Sequence, residues 1–317
     1  MPTLKEIKGR IASVKSTLKI TSAMKLVSSA KLRKAQKATE AMRPYEAQLQ
    51  RMLAMVQDEA PVMSGSGSSV MSGSGFPVMP GSGSSVMPGS DRASHAIVAI
   101  ASNSSLCGGF NANVIAKVRS VRQDGDVVYS VGRKMADAMR KDGFPSPEDF
   151  SHLAEHPEYA PAAALVEKLC EEVEAGRFTQ VLLVYNHFVS TAKQVPTVDV
   201  LLATPTTEEK DSPSSASLRD PVRSNAPDGE SFSSDAIIEP GKKELLSVLE
   251  PKLLKLKLYA ALLDSAAAEH AARTVAMQTA TDNGENLLQD LTLQYNKGRQ
   301  QKITAEILDL AGGQAQD

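Results

Sequence analysis

Residues 4–18, Leu4-Lys-Glu-Ile-Lys-Gly-Arg-Ile-Ala-Ser-Val-Lys-Ser-Thr-Leu18, set the reading of the whole chain. Leu4, Ile7, Ile11, Val14 and Leu18 recur at alternating steps of three and four, which keeps a narrow apolar stripe of a helix facing a partner. Thr3 is placed to cap the start, with Glu6 three residues on as the other half of a capping box. The helical reading continues from residue 3 to 57, with a kink expected at Pro44, because proline removes one helical bond and crowds the preceding turn. At about 1.5 Å per residue such a helix is about 80 Å long, too long for one globular core to cover. It needs a partner of similar length.

The partner stands at the other end. From about Lys242 to Ala311 the chain reads as a second helix, on the order of 100 Å long. Pro251 near its start marks an expected joint between two segments. Its first part is leucine-rich (Leu245, Leu246, Leu249, Leu253, Leu256, Leu263), and its middle is slim, through Ser265-Ala-Ala-Ala268, Ala271, Ala272, Ala276 and Ala280. Its end turns apolar again at Leu287, Leu291, Ile303, Ile307 and Leu308. Two such helices at opposite ends of a chain imply an antiparallel coiled coil carrying whatever lies between them.

Between them, residues 95–203 read as α/β. Ala96-Ile-Val-Ala-Ile-Ala101 is a continuous apolar run suited to a buried strand, Asn111 to Val121 is helical, and Asp126-Val-Val-Tyr-Ser-Val131 is a second strand. Helices follow at Arg133–Lys141 and Ala162–Glu174, then a strand from Gln180 to Tyr185. Val195–Leu202 reads as one more strand, hairpin-paired to it through Phe188–Lys193. Strands alternating with helices argue for a small, mostly parallel sheet. The expected class is thus α+β overall, a long antiparallel coiled coil of the terminal helices with an inserted α/β, Rossmann-like domain. The divisions are 1–60, a shaft helix; 61–91, a low-complexity tract; 92–203, the insert; 204–240, a Ser/Pro-rich linker; and 241–317, the second shaft helix.

The low-complexity tract repeats Val-Met at residues 62, 70, 78 and 86, and residues 62–90 hold ten Ser, seven Gly and no charge. Solenoid repeats are longer and bury more than one such pair per unit, so the tract reads as a flexible linker. In all, 317 residues with 42% apolar and 23% charged side chains have a globular balance. Aromatics at 4%, with no Trp, argue for small-residue helix packing over deep aromatic pockets. Cys107 and Cys170 share no metal-type spacing and fit a reducing compartment. No apolar run approaches the roughly 20 residues of a membrane span, and the amphipathic start lacks a signal-peptide core. A secreted, disulfide-stapled or membrane-spanning protein is not expected.

Three constellations invite chemistry, and each has a plainer reading. His152-Leu-Ala-Glu155-His156 matches a zinc-hydrolase pattern that needs both histidines on one helical face, yet Pro145, Pro147, Pro157 and Pro161 crowd the segment, which reads as a solvated loop. Leu106-Cys-Gly-Gly-Phe-Asn111 lies where phosphate loops occur but lacks their glycine spacing and Lys-Ser/Thr, so it reads as a tight strand-to-helix turn. No base is placed near Cys107 to make it a nucleophile. The loudest charge signal is the first helix. Residues 1–43 carry eleven Lys and Arg against Glu6 and Glu40, a solvated face or a surface for nucleic acid, an anionic membrane or an acidic protein. The first aromatic is Tyr45, which weakens single-strand binding.

Both ends of the chain resemble the family of γ subunits, the central stalks of F-type ATP synthases. The run from Ile7 through Met24 and Lys25 to Lys34 is similar to that family's shaft helix. So are Glu269-His-Ala-Ala-Arg273-Thr-Val-Ala-Met277, Ala280-Thr-Asp-Asn283, Leu291-Thr-Leu-Gln-Tyr295-Asn296, Arg299-Gln300 and Ile303-Thr304-Ala-Glu306. Leu106-Cys-Gly-Gly-Phe-Asn111 and Leu183-Val-Tyr-Asn-His-Phe188 look like its α/β domain. The departures are Asn103-Ser-Ser105 before Leu106, Thr274 after the arginine, Gln314 in the terminal signature, and the Val-Met tract, which has no counterpart.

The resemblance implies a rotor without an active site or cofactor, turning inside a ring of α and β subunits, its foot and α/β domain resting on ε and the membrane c-ring. It implies coupling of proton-driven rotation to ATP synthesis, and a peripheral place on the cytoplasmic side of a bacterial inner membrane. It places Lys19, Met24, Lys25, Arg273, Met277, Gln300, Thr304 and Glu306 at the ring contact, and gives no part to nucleic acid. The competing readings are an α/β enzyme on a coiled-coil oligomeriser and a basic coiled coil that binds nucleic acid.

Overall fold

The computed structural model describes residues 3–57, 95–203 and 241–313. The Val-Met tract, the 204–240 linker and Gln314 lie outside the described residues. The two long helices form as the periodicity predicts, α1 over Leu4–Gln57 and α6 over Lys242–Gly313. The capping box closes the start of α1: the Glu6 N–H donates to Thr3 Oγ1 at 3.3 Å, and the Thr3 N–H donates to Glu6 Oε2 at 3.0 Å. Each helix is a single element through its proline, Pro44 in α1 and Pro251 in α6, so Pro251 does not divide α6 into two.

Partners across the pair show that the helices are antiparallel in one continuous register. Leu4 meets Gly298, Leu18 meets Gly284, and the Thr21 and Thr281 hydroxyls lie 3.0 Å apart. Further along, Leu32 packs with Ala267 and Ala271, and Leu49 and Leu53 with Leu249 and Leu256. Numbers rise on one helix as they fall on the other, with no slip between the ends. The seam is thick where leucines face one another at the foot and slim where alanine and glycine line α6.

The insert joins the chain between these helices. Its elements are β1 (His95–Ile100), α2 (Phe110–Val121), β2 (Val127–Val131), α3 (Arg133–Lys141), α4 (Ser151–Glu155), α5 (Tyr159–Glu174), β3 (Gln180–Phe188) and β4 (Gln194–Ala203). The sheet order is β2-β1-β3-β4, with the first three strands parallel and β4 antiparallel to β3, the expected hairpin. Alternate residues serve opposite faces. Ala96, Val98, Ile100, Val181 and Leu183 pack with α5 and with Leu258, Ala261 and Leu262 of α6. Ile97, Ala99, Leu182 and Val184 pack with Val114, Val118, Met135 and Met139 of α2 and α3. The shaft helix is therefore part of the insert's own core.

Local chemistry fixes the turns. The buried Asp126 carboxylate accepts the His95 and Gln123 N–H groups at 2.9 and 2.8 Å, tying the starts of β1 and β2 together. Gly132 ends β2 at φ 99°, and a Cβ there would stand 2.2 Å from the Ala101 carbonyl oxygen, so no other residue fits. α5 starts three residues earlier than the sequence reading, because Pro161 falls in its first turn, where a missing N–H leaves no helical bond unmade. The 151–155 stretch, read as loop, is a short helix held by Leu153, which is wholly buried in the core.

Candidate functional site

The carboxyl ends of β1 and β3 point to the same edge, and between them the strand order reverses: the chain leaves β1 for β2 on one side and returns as β3 on the other. In open α/β sheets this crevice is where ligands bind. Here it is filled by α6. Ala268 and Ala272 pack into it against Cys107, Phe110 and Phe188. Their small side chains let the helix come close: even Gly108, at φ 58°, has the Ala276 methyl only 3.9 Å from where its own Cβ would be.

Two polar clamps flank this apolar plug. At the end of β3, His187 Nδ1 lies 2.5 Å from Asp264 Oδ2, and the Phe188 N–H donates to the same carboxylate at 3.3 Å. Burial pushes the Asp264 carboxyl above its usual range, while His187, the Phe188 N–H and Arg43 of α1 pull the other way. At the end of β1, Arg273 Nη1 pairs with Glu269 Oε1 at 2.7 Å and Nη2 donates to Ser104 Oγ at 2.8 Å. Burial outweighs Arg273 and Lys31 and raises the Glu269 carboxyl. The loop that offers Ser104 is itself braced: the Ser102 N–H donates to Asn111 Oδ1 at 3.1 Å, and Asn111 Nδ2 donates to Ser102 Oγ at 2.8 Å. Asn186 Nδ2 donates to the Phe110 carbonyl at 3.0 Å, joining the β3 end to α2. Leu106, held in the left-handed region at φ 68°, stands exposed at the tip of the same loop.

A cavity of about 240 Å³ opens beside Asp264, lined by Arg43, Glu46, Tyr185, His187, Asp199 and Lys257 among others. Tyr185 donates to Asp199 Oδ2 at 3.0 Å and Lys257 Nζ to the Val200 carbonyl at 2.6 Å. These polar groups face one another across the joint between α1, the sheet and α6, with no nucleophile–base–orienter arrangement among them. Among the described residues no group of His, Cys, Asp and Glu could hold a metal, and His152 and His156 are exposed.

The residues expected at a ring contact fall into two groups. Lys19, Gln300, Thr304 and Glu306 are exposed, and Met24 and Lys25 are half-buried along the shaft. Arg273 is only 8% exposed and is engaged by the insert, and Met277 is buried too. Thr304 Oγ1 donates to the Gln300 carbonyl at 3.0 Å, and Glu306 lies 3.6 Å from Lys302. Ile303, Ile307 and Leu308 are open to solvent in the isolated chain. Sequence reading missed Asp264, Glu269 and Ser104 as joint residues. The one available signal was charge standing in the Ala/Ser-rich run of α6, where a thin seam offers little water.

The model of the family described as ATP synthase matches residues 3–315. The ATP synthase gamma chain of Phocaeicola vulgatus is 43% identical over 321 residues, covering 99% of both chains. This chain belongs to the ATP synthase gamma chain family. The gamma chain of Bacteroides thetaiotaomicron is 41% identical across the full length of both. As a gamma chain, the protein is the non-catalytic central-stalk subunit of an F-type ATP synthase, a peripheral subunit of a membrane-bound complex. Among the described residues, no helix of this gamma chain is long and apolar enough to cross a membrane. Its fold matches a chain of the Euglena gracilis mitochondrial ATP synthase OSCP/F1/c-ring structure in rotational state 3, at TM-score 0.62 and 20% identity, over 98% of this chain and 93% of that one. A chain of the Tetrahymena thermophila central stalk and c-ring structure matches at TM-score 0.54 and 20% identity, over 82% and 99%. In a gamma chain, the filled switch-point crevice has a plain meaning: it holds the insert to the shaft.

Proposed function

We propose that this gamma chain turns within a head of α and β subunits, carrying rotation of a membrane c-ring, driven by a proton gradient, to the nucleotide sites of the β subunits. The foot, where Leu49, Leu53, Leu249 and Leu256 close the helix pair, and the insert rest on the c-ring and ε. The complex sits on the cytoplasmic side of a bacterial inner membrane, and neither nucleic acid nor a cofactor of its own enters the proposal. The insert is a reduced Rossmann-like unit; the parallel β2-β1-β3 order with helices on both faces supports this.

One observation carries the rotor reading. Leu4, in the first turn of α1, meets Gly298, so among the described residues α6 runs on past α1 from residue 299 to 313, about 20 Å. A helix end exposing Ile307 at 60% and Leu308 at 64% calls for a surrounding surface. A bearing formed by the head would cover it, with Gln300, Thr304 and Glu306 meeting the bearing in some rotary positions and not others. Lys19, Met24 and Lys25 offer the contact lower on the shaft, with the small uncovered edges of Arg273 and Met277 completing it. Contacts that differ between positions are what a stalk needs to bias three otherwise equivalent sites.

The test is purification of the tagged full chain from its own cells in mild detergent. Recovery of α, β, ε and c-ring subunits is expected. Recovery with none of them would contradict the proposal.

A further inference from the structure

Gly284 and Gly298 stand in the interior of α6, where glycine is the poorest helix former after proline. Neither ends the helix. Across the seam, a Cβ on Gly284 would lie 2.7 Å from Leu18 Cδ2, and one on Gly298 would lie 3.2 Å from Leu4 Cδ2. Gly9, on an exposed face of α1, has nothing within 4 Å. The two notches are fourteen residues apart on α6, as the two leucines are on α1, which is two heptads. The Thr21–Thr281 hydroxyl contact continues the same register three residues inward.

We propose that Leu18 in the Gly284 notch and Leu4 in the Gly298 notch are two locks that hold the upper shaft in one axial and rotational register, so that torque on one helix turns both. The hold is steric. For the helices to slide or roll past each other, each half-buried leucine must leave a position without a Cβ and climb onto one that has a side chain. Glycine also lets the two backbones approach more closely at these two points than alanine would. The consequence for coupling rests on the central-stalk reading. The lock itself is a property of this chain.

The test compares Gly284→Ala, Gly298→Ala and Gly9→Ala in the full chain and in the assembled complex. Helix propensity alone raises the melting midpoint of all three, by about 2–4 °C. The lock predicts the full rise for Gly9→Ala only: a terminal methyl of Leu18 must shift to admit the new Cβ, so Gly284→Ala shows no rise, and Gly298→Ala, whose contact with Leu4 is looser, shows a rise smaller than that of Gly9→Ala. In a Leu18→Ala background, Gly284→Ala raises the midpoint, because the knob it would strike is gone. In the complex, well below the melting range, protons pumped per ATP hydrolysed are lower for Gly284→Ala and unchanged for Gly9→Ala. A higher midpoint for Gly284→Ala in the unaltered background, or equal pumping per ATP for the two variants, overturns the proposal. If the unaltered chain forms no complex with the head, the central-stalk reading fails instead, and the melting series still judges the lock.

Discussion

Replacing Arg273 by alanine tests the joint at its most costly point. The guanidinium holds Glu269 at 2.7 Å with the two side chains 10% and 11% exposed, and donates to Ser104 at 2.8 Å. Removing one member of a buried pair leaves the other charge unpaired, which costs about 3–5 kcal/mol, whereas replacing both with apolar residues of similar volume is often neutral. We therefore expect Arg273→Ala to lose about 3–5 kcal/mol at neutral pH. Arg273→Leu with Glu269→Leu should lose far less. The pH dependence has a definite sign. Glu269 already titrates above its ordinary 4.5 through burial, and losing Arg273 removes the largest opposing influence. A carboxyl with a raised folded-state pKa imposes no penalty below its unfolded value, a growing one as pH rises from there toward the folded value, and a constant one above it. The deficit of Arg273→Ala therefore shrinks as pH falls from neutral toward the ordinary glutamate range. Urea unfolding of the full chain measures this, since urea does not screen charge as guanidinium does. A variant within about 0.5 kcal/mol of the parent at neutral pH would show that Glu269 does not need Arg273 as its partner.

Three further outcomes are expected. Burial, with Arg273 and Lys31 adding to it, lowers the His270 imidazole from 6.5 to about 4, so its contribution is intact above 6.5 and is lost as pH falls toward 4, at most about 3 kcal/mol; unfolding of His270→Asn between these limits should be less acid-sensitive than the parent, and equal sensitivity would exclude His270 as the cause. Lys19→Glu with Lys25→Glu should leave helical content normal, the change at exposed Lys19 costing within about 0.5 kcal/mol and that at half-buried Lys25 more, while ATP-driven pumping per ATP falls as attraction to an acidic bearing becomes repulsion; unchanged pumping in the assembled complex would remove the basic face from the mechanism. Deleting residues 62–90 should leave assembly and ATP synthesis nearly unchanged, because a charge-free Gly/Ser tract has little to bury; loss of assembly with α and β subunits would overturn the linker reading.

The shaft was legible because its signal is local and repeated. Leu4 to Leu18 fix a period, and the sheer length demands a partner. The strands were legible for a related reason, since Ala96–Ala101 is apolar on both faces and the sheet is in fact covered on both. What escaped was set across long separations. Asp264 and His187 are 77 residues apart, and Arg273 and Ser104 are 169 apart, so no window of sequence links them. Arg273 shows the difference clearly. Resemblance could name it as functional, but its direction is decided by where Glu269 and Ser104 stand once the insert folds. Gly284 and Gly298 were invisible for the opposite reason: locally they only weaken a helix, and their use lies in the leucines opposite. The 151–155 helix was missed because one residue, Leu153, outweighs the surrounding prolines by docking into the core.

On the rotor reading, insert and shaft turn together as one body inside a stationary head. The direct measurement holds the assembled head on a surface and attaches a probe to the insert through Val189→Cys, an exposed position at the end of β3. ATP should drive continuous rotation of the probe in one direction, and rotation should stop when ATP is removed. A probe that stays still while the same molecules hydrolyse ATP would contradict the rotor reading.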